Sequence, residues 1–425
     1  MKQIVLSALV ICLGILFKSC NTTEPPPNGE KPTLELTLED VSCIEAWIQL
    51  KTTNLQLPAE ITLKKNNVAQ STILCNGDTL LYIDSLLPNQ TYKFQSVILP
   101  EESFGQSINQ SEIKSNELSV TTMDTTSHSF TFETFTFGGT AGSSTLYDCA
   151  IISPENIWCV GEIYVADTSI NGYTMYNAVH WNGSDWNLKR ILYDRSIWTI
   201  TTIFAFSEND IWFSAFVRYD GQNFIEMPIP AILMGWRPNK IWGSSSSDLY
   251  VVGNNGNIAR YNGQSWQRIE SGTELNIGDI WGIADGNGGF NKYLVSENAL
   301  LKLDSYNQLN RINVEPGMFL NSVWGITDKL IYTAGDGVVL YKNYRWEKIN
   351  RPDVNNIYVI KGQNYNDLYG ISAAYTILHF SGYNWTDVNP FPNNTYYSMN
   401  VLNNYAAFVG WQGDKAVITL IKRNL

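Results

Sequence analysis

The chain is short of charge. Asp, Glu, Lys and Arg make up only 16% of its 425 residues, and 40 acidic residues outnumber 28 basic ones for a formal net charge of −12. There is no basic cluster, and an acidic chain repels phosphate backbones, so nucleic acid is excluded as a partner. Histidine is scarce, with only His128, His180 and His379. His180 and His379 hold the same place in two separate repeat units described below, so they do not converge on one metal, and histidine-based catalysis or metal binding is excluded. The six cysteines include no Cys-x-x-Cys spacing, which removes zinc and dithiol redox motifs. A Gly-x-Ser-x-Gly elbow, a phosphate loop and His-Glu-x-x-His are all missing. Asp285-Gly286-Asn287-Gly288-Gly289 offers two side-chain oxygens and no downstream Glu, so it reads as a hairpin turn and not a calcium loop. No catalytic residue, cofactor or metal is assigned. Helical periodicity is absent as well.

What is present is a strand-and-turn repeat. The stretch from Ile241 to Trp266 holds four short β-type runs, broken by Ser-rich, Asn-Asn-Gly and Asn-Gly turns. Related units close on residues 186, 224, 266, 309, 346 and 385, a period of about 40 that fits four-stranded propeller blades. A last unit, from Tyr397 to Ile421, has only three strands. Ser129 to Thr136 alternates cleanly and belongs to no other unit, so it is expected to supply the fourth strand and close the ring. Seven blades are expected over 129–425. Six or eight stay open, because the unit holding Phe224 shows no clear third strand. The Trp at each closing strand is expected to pack between sheets.

Ahead of the repeats, residues 31–123 carry six or seven short alternating strands, which predict a β-sandwich. Within them, Leu86-Leu87-Pro88-Asn89-Gln90-Thr91-Tyr92-Lys93-Phe94 resembles the fibronectin type III signature. Trp47 stands where that family keeps its core Trp, and Ser115 to Thr122 resembles its last strand. The resemblance implies a spacer or adhesive module. The repeat itself resembles a loosely defined family of exported bacterial propellers with a Trp-Gly…Asn-Gly-x-x-Trp pattern. Asn262-Gly263-Gln264-Ser265-Trp266 is similar to the end of the Asp-box of sialidase-like propellers, without its leading Ser-x-Asp. The fold class is therefore all-β, a fibronectin III-like sandwich followed, after a linker at 124–128, by a propeller.

The first residues have another character. Ile4 to Phe17 is almost unbroken apolar sequence after Lys2, long enough for a signal-peptide core. Leu16-Phe17-Lys18-Ser19-Cys20 resembles a bacterial lipobox, with Lys18 where a small residue is usual. The resemblance implies a signal peptide at 1–19, acylation of Cys20, a Pro-rich tether at 20–30, and a place on the outer membrane or cell surface, with the periplasmic face also open. Cys43, Cys75, Cys149 and Cys159 remain for an exported protein, and pairing within domains would join Cys43 to Cys75 and Cys149 to Cys159.

Function is legible only by topology. Loops between blades, and those joining second to third strands, share one face around a propeller's channel. Among the irregular stretches assigned to that face, Tyr193, Arg195, Trp236, Arg237 and Trp411 are the binding candidates, because aromatics and Arg dominate recognition surfaces. The leading reading is a non-catalytic, monomeric head that binds a glycan or an envelope protein, held to the membrane by its lipid. A carbohydrate hydrolase or lyase using two carboxylates and a passive scaffold subunit of an envelope complex are the alternatives.

Overall fold

The computed structural model describes residues 31–99, 112–214, 216–228, 231–314, 318–342, 345–349, 357–373 and 376–424. The expected signal peptide, Cys20 and the expected tether lie outside them. Contacts divide the chain into two compact units. Among the described residues, the first takes in 31–39, Trp47–Leu81 and Tyr92–Val120; the second takes in Asp40–Ala46, Tyr82–Thr91 and the chain from Thr121 onward. The sequence reading drew one contiguous boundary at 123, whereas two short segments before it group with the second unit.

The first unit is all-β. Thr33–Val41, Ala46–Thr53 and Thr79–Ile83 form one sheet, and Val68–Cys75, Ala59–Lys65, Thr91–Ile98, Ile113–Lys114 and Leu118–Thr121 form another. Trp47 is fully buried, the place of a core residue and not of a contact surface.

In the second unit, seven four-stranded sheets follow one another among the described residues, each resembling a propeller blade. Their first strands are Thr145–Ser153, Ile203–Ser207, Pro238–Ser245, Asp279–Ala284, Leu320–Thr327, Ile357–Asn364 and Thr395–Leu402. Each first strand touches the next, and the last touches the first, so the inner strands form a closed cycle. The unit around Phe224 has its third strand after all, the three residues Val217–Tyr219. The seventh sheet is completed from the other end of the domain: Phe130–Phe137 pairs antiparallel with Lys415–Arg423. Apart from these sheets there is a short hairpin, Leu192–Tyr193 with Ser196–Ile197, and a 3-10 turn at Ala231–Leu233.

The period of about 40 has a local cause. In the first six sheets the start of the closing strand pairs with the end of the third strand, while the seventh takes its closing strand from Phe130–Phe137. The cross-strand pairs are Trp181–Trp186, Tyr219–Phe224, Tyr261–Trp266, Leu303–Leu309, Tyr341–Trp346 and Phe380–Trp385. The five aromatic pairs have ring centroids 4.9–5.5 Å apart. Gly183, Gly221, Gly263 and Gly382 take φ values of 89–95° in the turns between these pairs, a region closed to most residues with a side chain. Burial lies between sheets. Leu146, Cys149, Ile157 and Cys159 of the first sheet pack with Ala407, Val409, Ala416 and Ile418 of the seventh. Similar shared cores join the third sheet to the fourth and the sixth to the seventh. A single sheet of this size would leave one of these faces wet, which is why the repeat must close on itself.

The four described cysteines are free thiols, which corrects the two expected disulfides. Cys149 and Cys159 are direct cross-strand partners. Both stay in the apolar core, where Cys149 Sγ donates to the carbonyl of Ala407 at 3.5 Å. Burial, followed by the neighbouring Cys149, raises the Cys159 thiol well above its ordinary value, which favours the protonated, unreactive form. Cys43 falls in the second unit and Cys75 in the first. Burial above all pushes the Cys43 thiol up to about 12.

One irregularity recurs at the start of the inner strands. In five sheets a bulge leaves one extra residue unpaired: Tyr147, Asn239, Asn321, Tyr358 and Tyr397. Opposite four of these bulges stands a glycine, at Gly161, Gly253, Gly335 and Gly410. A Cβ there would land on the backbone carbonyl of Thr145, Arg237, Phe319 or Thr395. The glycine closing the Val-Gly element of the repeat is thus the counterpart of the bulge. Gly335→Ala is therefore expected to lower stability by about 1–3 kcal/mol, since a backbone must shift to admit the methyl. A denaturant midpoint unchanged from the wild type would contradict this.

Candidate binding site at the channel mouth

The bulge sorts side chains into two tiers. The residue after each bulge resumes the pairing with the second strand. The equivalent positions are Asp148, Thr202, Lys240, Asp279, Ser322, Val359 and Ser398. Three elements of this tier gather on Asp148, which is 2% exposed. It accepts hydrogen bonds from Lys240 Nζ at 2.8 Å, Ser398 Oγ at 2.7 Å, Thr202 Oγ1 at 2.8 Å and the Ile203 amide at 3.1 Å. These donors come from the third, seventh and second sheets. Asp279 accepts from Ser322 Oγ at 2.6 Å, the Val323 amide at 3.1 Å and Lys361 Nζ at 2.7 Å. Burial opposes the Lys240 charge, yet Asp148 and then Asp279 hold its ammonium above the ordinary lysine value. For Lys361 burial wins, and the group is shifted down. Both carboxylates are saturated with donors. That makes them fasteners and leaves neither free to work as a general acid or base.

The bulged residues form the tier at the mouth. Tyr358, Tyr397 and Tyr147 come from three successive sheets, the sixth, seventh and first. Tyr358 is 43% exposed and Tyr397 48%. Tyr397 lies 5.9 Å from Tyr147, ring to ring, and Trp411 Nε1 donates to the Tyr397 hydroxyl at 3.2 Å. Tyr147 donates to Glu162 Oε1 at 2.9 Å, while Thr199 and Tyr164 donate to Glu162 Oε2 at 3.1 and 3.4 Å. Burial, then Glu162, pushes the Tyr147 phenol up to about 12, with Arg237 pulling the other way. Tyr147 therefore stays a neutral donor. Trp198, 46% exposed, follows beside Thr199, and Tyr193 lies 5.6 Å from it. Asn239 and Asn321 supply the polar part of the rim.

The five candidates read from sequence divide accordingly. Trp411 touches the tyrosine arc, and Arg237 acts electrostatically on Tyr147. Tyr193 borders the arc through Trp198 but also packs on the core between the first and second sheets. Arg195 is exposed at the tip of the short hairpin with φ 59°. Trp236 lies under the Arg268 guanidinium at 5.9 Å, on the closing strand of its own sheet. Sequence reasoning missed Tyr147, Glu162, Tyr358 and Tyr397. The stretch 162–176, expected to be an irregular connection, is mostly strand, since Asn156–Ala166 and Tyr173–Trp181 extend to either side of a short turn. Asp285 accepts the amides of Asn287 and Gly289, the hairpin turn expected there.

The histidines are explained by the repeat. His180 meets Asn156 at 3.0 Å and His379 meets Asp367 at 3.0 Å. Arg218–Asp210 and Arg260–Asp248 occupy the same places in the second and third sheets at 2.7 and 2.8 Å. Each ring ties its own second and third strands together.

No protein-family model matches the chain, and no curated protein matches it either. Solved structures of similar fold do exist. YCF48 bound to D1 peptide superposes with a TM-score of 0.53 at 14% identity, over 71% of this chain and 98% of that one. Virginiamycin B lyase from Staphylococcus aureus does so with a TM-score of 0.50 at 11% identity, over 70% of this chain and 100% of that one. At such identities the likeness is one of fold: a β-propeller-like, repeated all-β architecture.

Proposed function

We propose that the chain is a cell-envelope lipoprotein with a fibronectin III-like module at 31–123 and a seven-bladed propeller at 129–425 whose channel mouth binds a segment of a partner protein without catalysis. The observation that carries the reading is the aromatic group of the bulged residues Tyr358, Tyr397 and Tyr147 with Trp411 on the neighbouring strand, Tyr358 and Tyr397 exposed and Tyr147 and Trp411 half-buried, beside first strands fastened by ion pairs. Exposed tyrosine and tryptophan side chains beside one carboxylate and one guanidinium suit a chain that offers apolar groups and backbone amides together. A propeller of similar fold was solved with a peptide bound, which favours a peptide over a glycan. Saturation of both axial carboxylates argues against a hydrolase or lyase working there.

The direct test is a displayed random-peptide library panned on the wild-type protein, beside a glycan array and a turnover screen on polysaccharides. Peptide binders are expected, and Tyr358→Ala with Tyr397→Ala should weaken them at least about tenfold while leaving the thermal transition in place. Glycan binding or turnover without peptide binding would replace this reading. For the anchor, Cys20→Ser is expected to move the protein from the membrane to the soluble fraction, because its acyl chains supply the membrane affinity. Unchanged membrane association in that variant would contradict the anchor.

A further inference from the structure

His128 was read as linker, yet it meets His379. His379 is fully buried on the third strand of the sixth sheet. Its Nε2 lies 3.0 Å from Asp367 Oδ1, and the other oxygen of that carboxylate accepts from Arg423 at 2.9 Å. Its Nδ1 lies 2.8 Å from Nδ1 of His128. His128 stands two residues before Phe130–Phe137, the strand that completes the seventh sheet. Phe130 and Tyr369 flank the buried ring at 5.0 and 4.8 Å. On its far side, His128 Nε2 faces Thr386 Oγ1 and Asn384 Oδ1, each at 3.3 Å.

One proton arrangement satisfies the pair. His379, neutral, donates from Nε2 to Asp367 and offers a bare Nδ1, which accepts the Nδ1–H of His128. Burial is the main cause of the lowered His379 value, outweighing Asp367, with His128 and Arg423 adding to the depression. A proton added to His379 sets two N–H groups against each other and a second cation beside Arg423.

We propose that the His128–His379 contact is an acid-released clasp that holds the entry of the ring-closing strand at neutral pH. The sign follows from linkage. A histidine depressed in the folded state contributes stability above its unfolded value near 6.5, and this is lost as pH falls from there toward the folded value. The backbone of the same segment is also held, by the Thr126 amide on Ser381 O at 3.1 Å and by Asn366 Nδ2 on Asp124 O at 2.8 Å. Release is therefore expected to loosen the strand and not to unfold the ring.

Hydrogen exchange of the full chain at pH 7.5 and pH 4.5, corrected for the intrinsic pH dependence, tests this. Protection of residues 130–137 is expected to fall at least about tenfold on acidification, with Trp266–Glu270 of the third sheet unchanged. His128→Gln carries an amide that can accept a proton donated by His379 but leaves the burial of that ring unchanged, so the strand's protection should fall on acidification by a clearly smaller factor than in the wild type. A wild-type strand indifferent to pH would overturn the clasp, as would an equal acid response in His128→Gln.

Discussion

The ring depends on two buried carboxylates. Asp148 and Asp279 each gather donors from two or three other sheets onto a single side chain at the axis. Neighbouring sheets already share apolar cores, but those contacts are non-directional and join each sheet only to the next. Lys240 reaches past the second sheet to Asp148, and Lys361 reaches past the fifth to Asp279. A buried ion pair adds little net stability compared with apolar packing of the same volume, whereas an orphaned partner is costly. Its contribution is therefore registry: the first strands cannot slide along the axis without stranding a charge.

The bulge links that registry to function. A strict period of two would send alternate residues of an inner strand to the axis and into the sheet, leaving no tyrosine at the rim. One inserted residue keeps Asp148 and Ser398 on the axis and lifts Tyr147 and Tyr397 out of it. At four of the five bulges a glycine opposite is the steric condition for this, because a side chain there would meet a carbonyl, while the bulge at Tyr358 stands opposite Ser372. The same local device thus sets the core-facing fastener and the solvent-facing arc, and the mouth inherits its rigidity from the axis beneath it.

Much of the architecture was legible. The closing residues announced the period because each is half of a cross-strand pair next to a turn that needs glycine. Ser129 to Thr136 was legible as an unclaimed alternating run, and residues 130–137 do pair with the last strand. The mouth was not legible, because a bulge is invisible to a reading by alternation, and Tyr147, Tyr358 and Tyr397 sit inside short strand-forming runs with nothing local to mark them as rim residues. Candidates were limited to aromatics and Arg in stretches read as irregular, and so Trp236 and Arg195 were named while Glu162, at the start of one such stretch, was passed over. Pairing among cysteines was inferred from compartment and parity, neither of which registers that Cys43 and Cys75 fall in different units. The contact of His128 with His379 joins residues 251 apart and has no local signature.

The axial fastening is tested most directly by a double-mutant cycle at Asp148 and Lys240, followed by the denaturant transition of the propeller. Lys240→Met alone, which leaves a buried carboxylate without its cation, is predicted to cost about 3–5 kcal/mol. Lys240→Met with Asp148→Asn is predicted to recover most of that loss, because no charge is then left unpaired. A Lys240→Met protein as stable as the wild type, or costs that simply add in the double variant, would contradict the account.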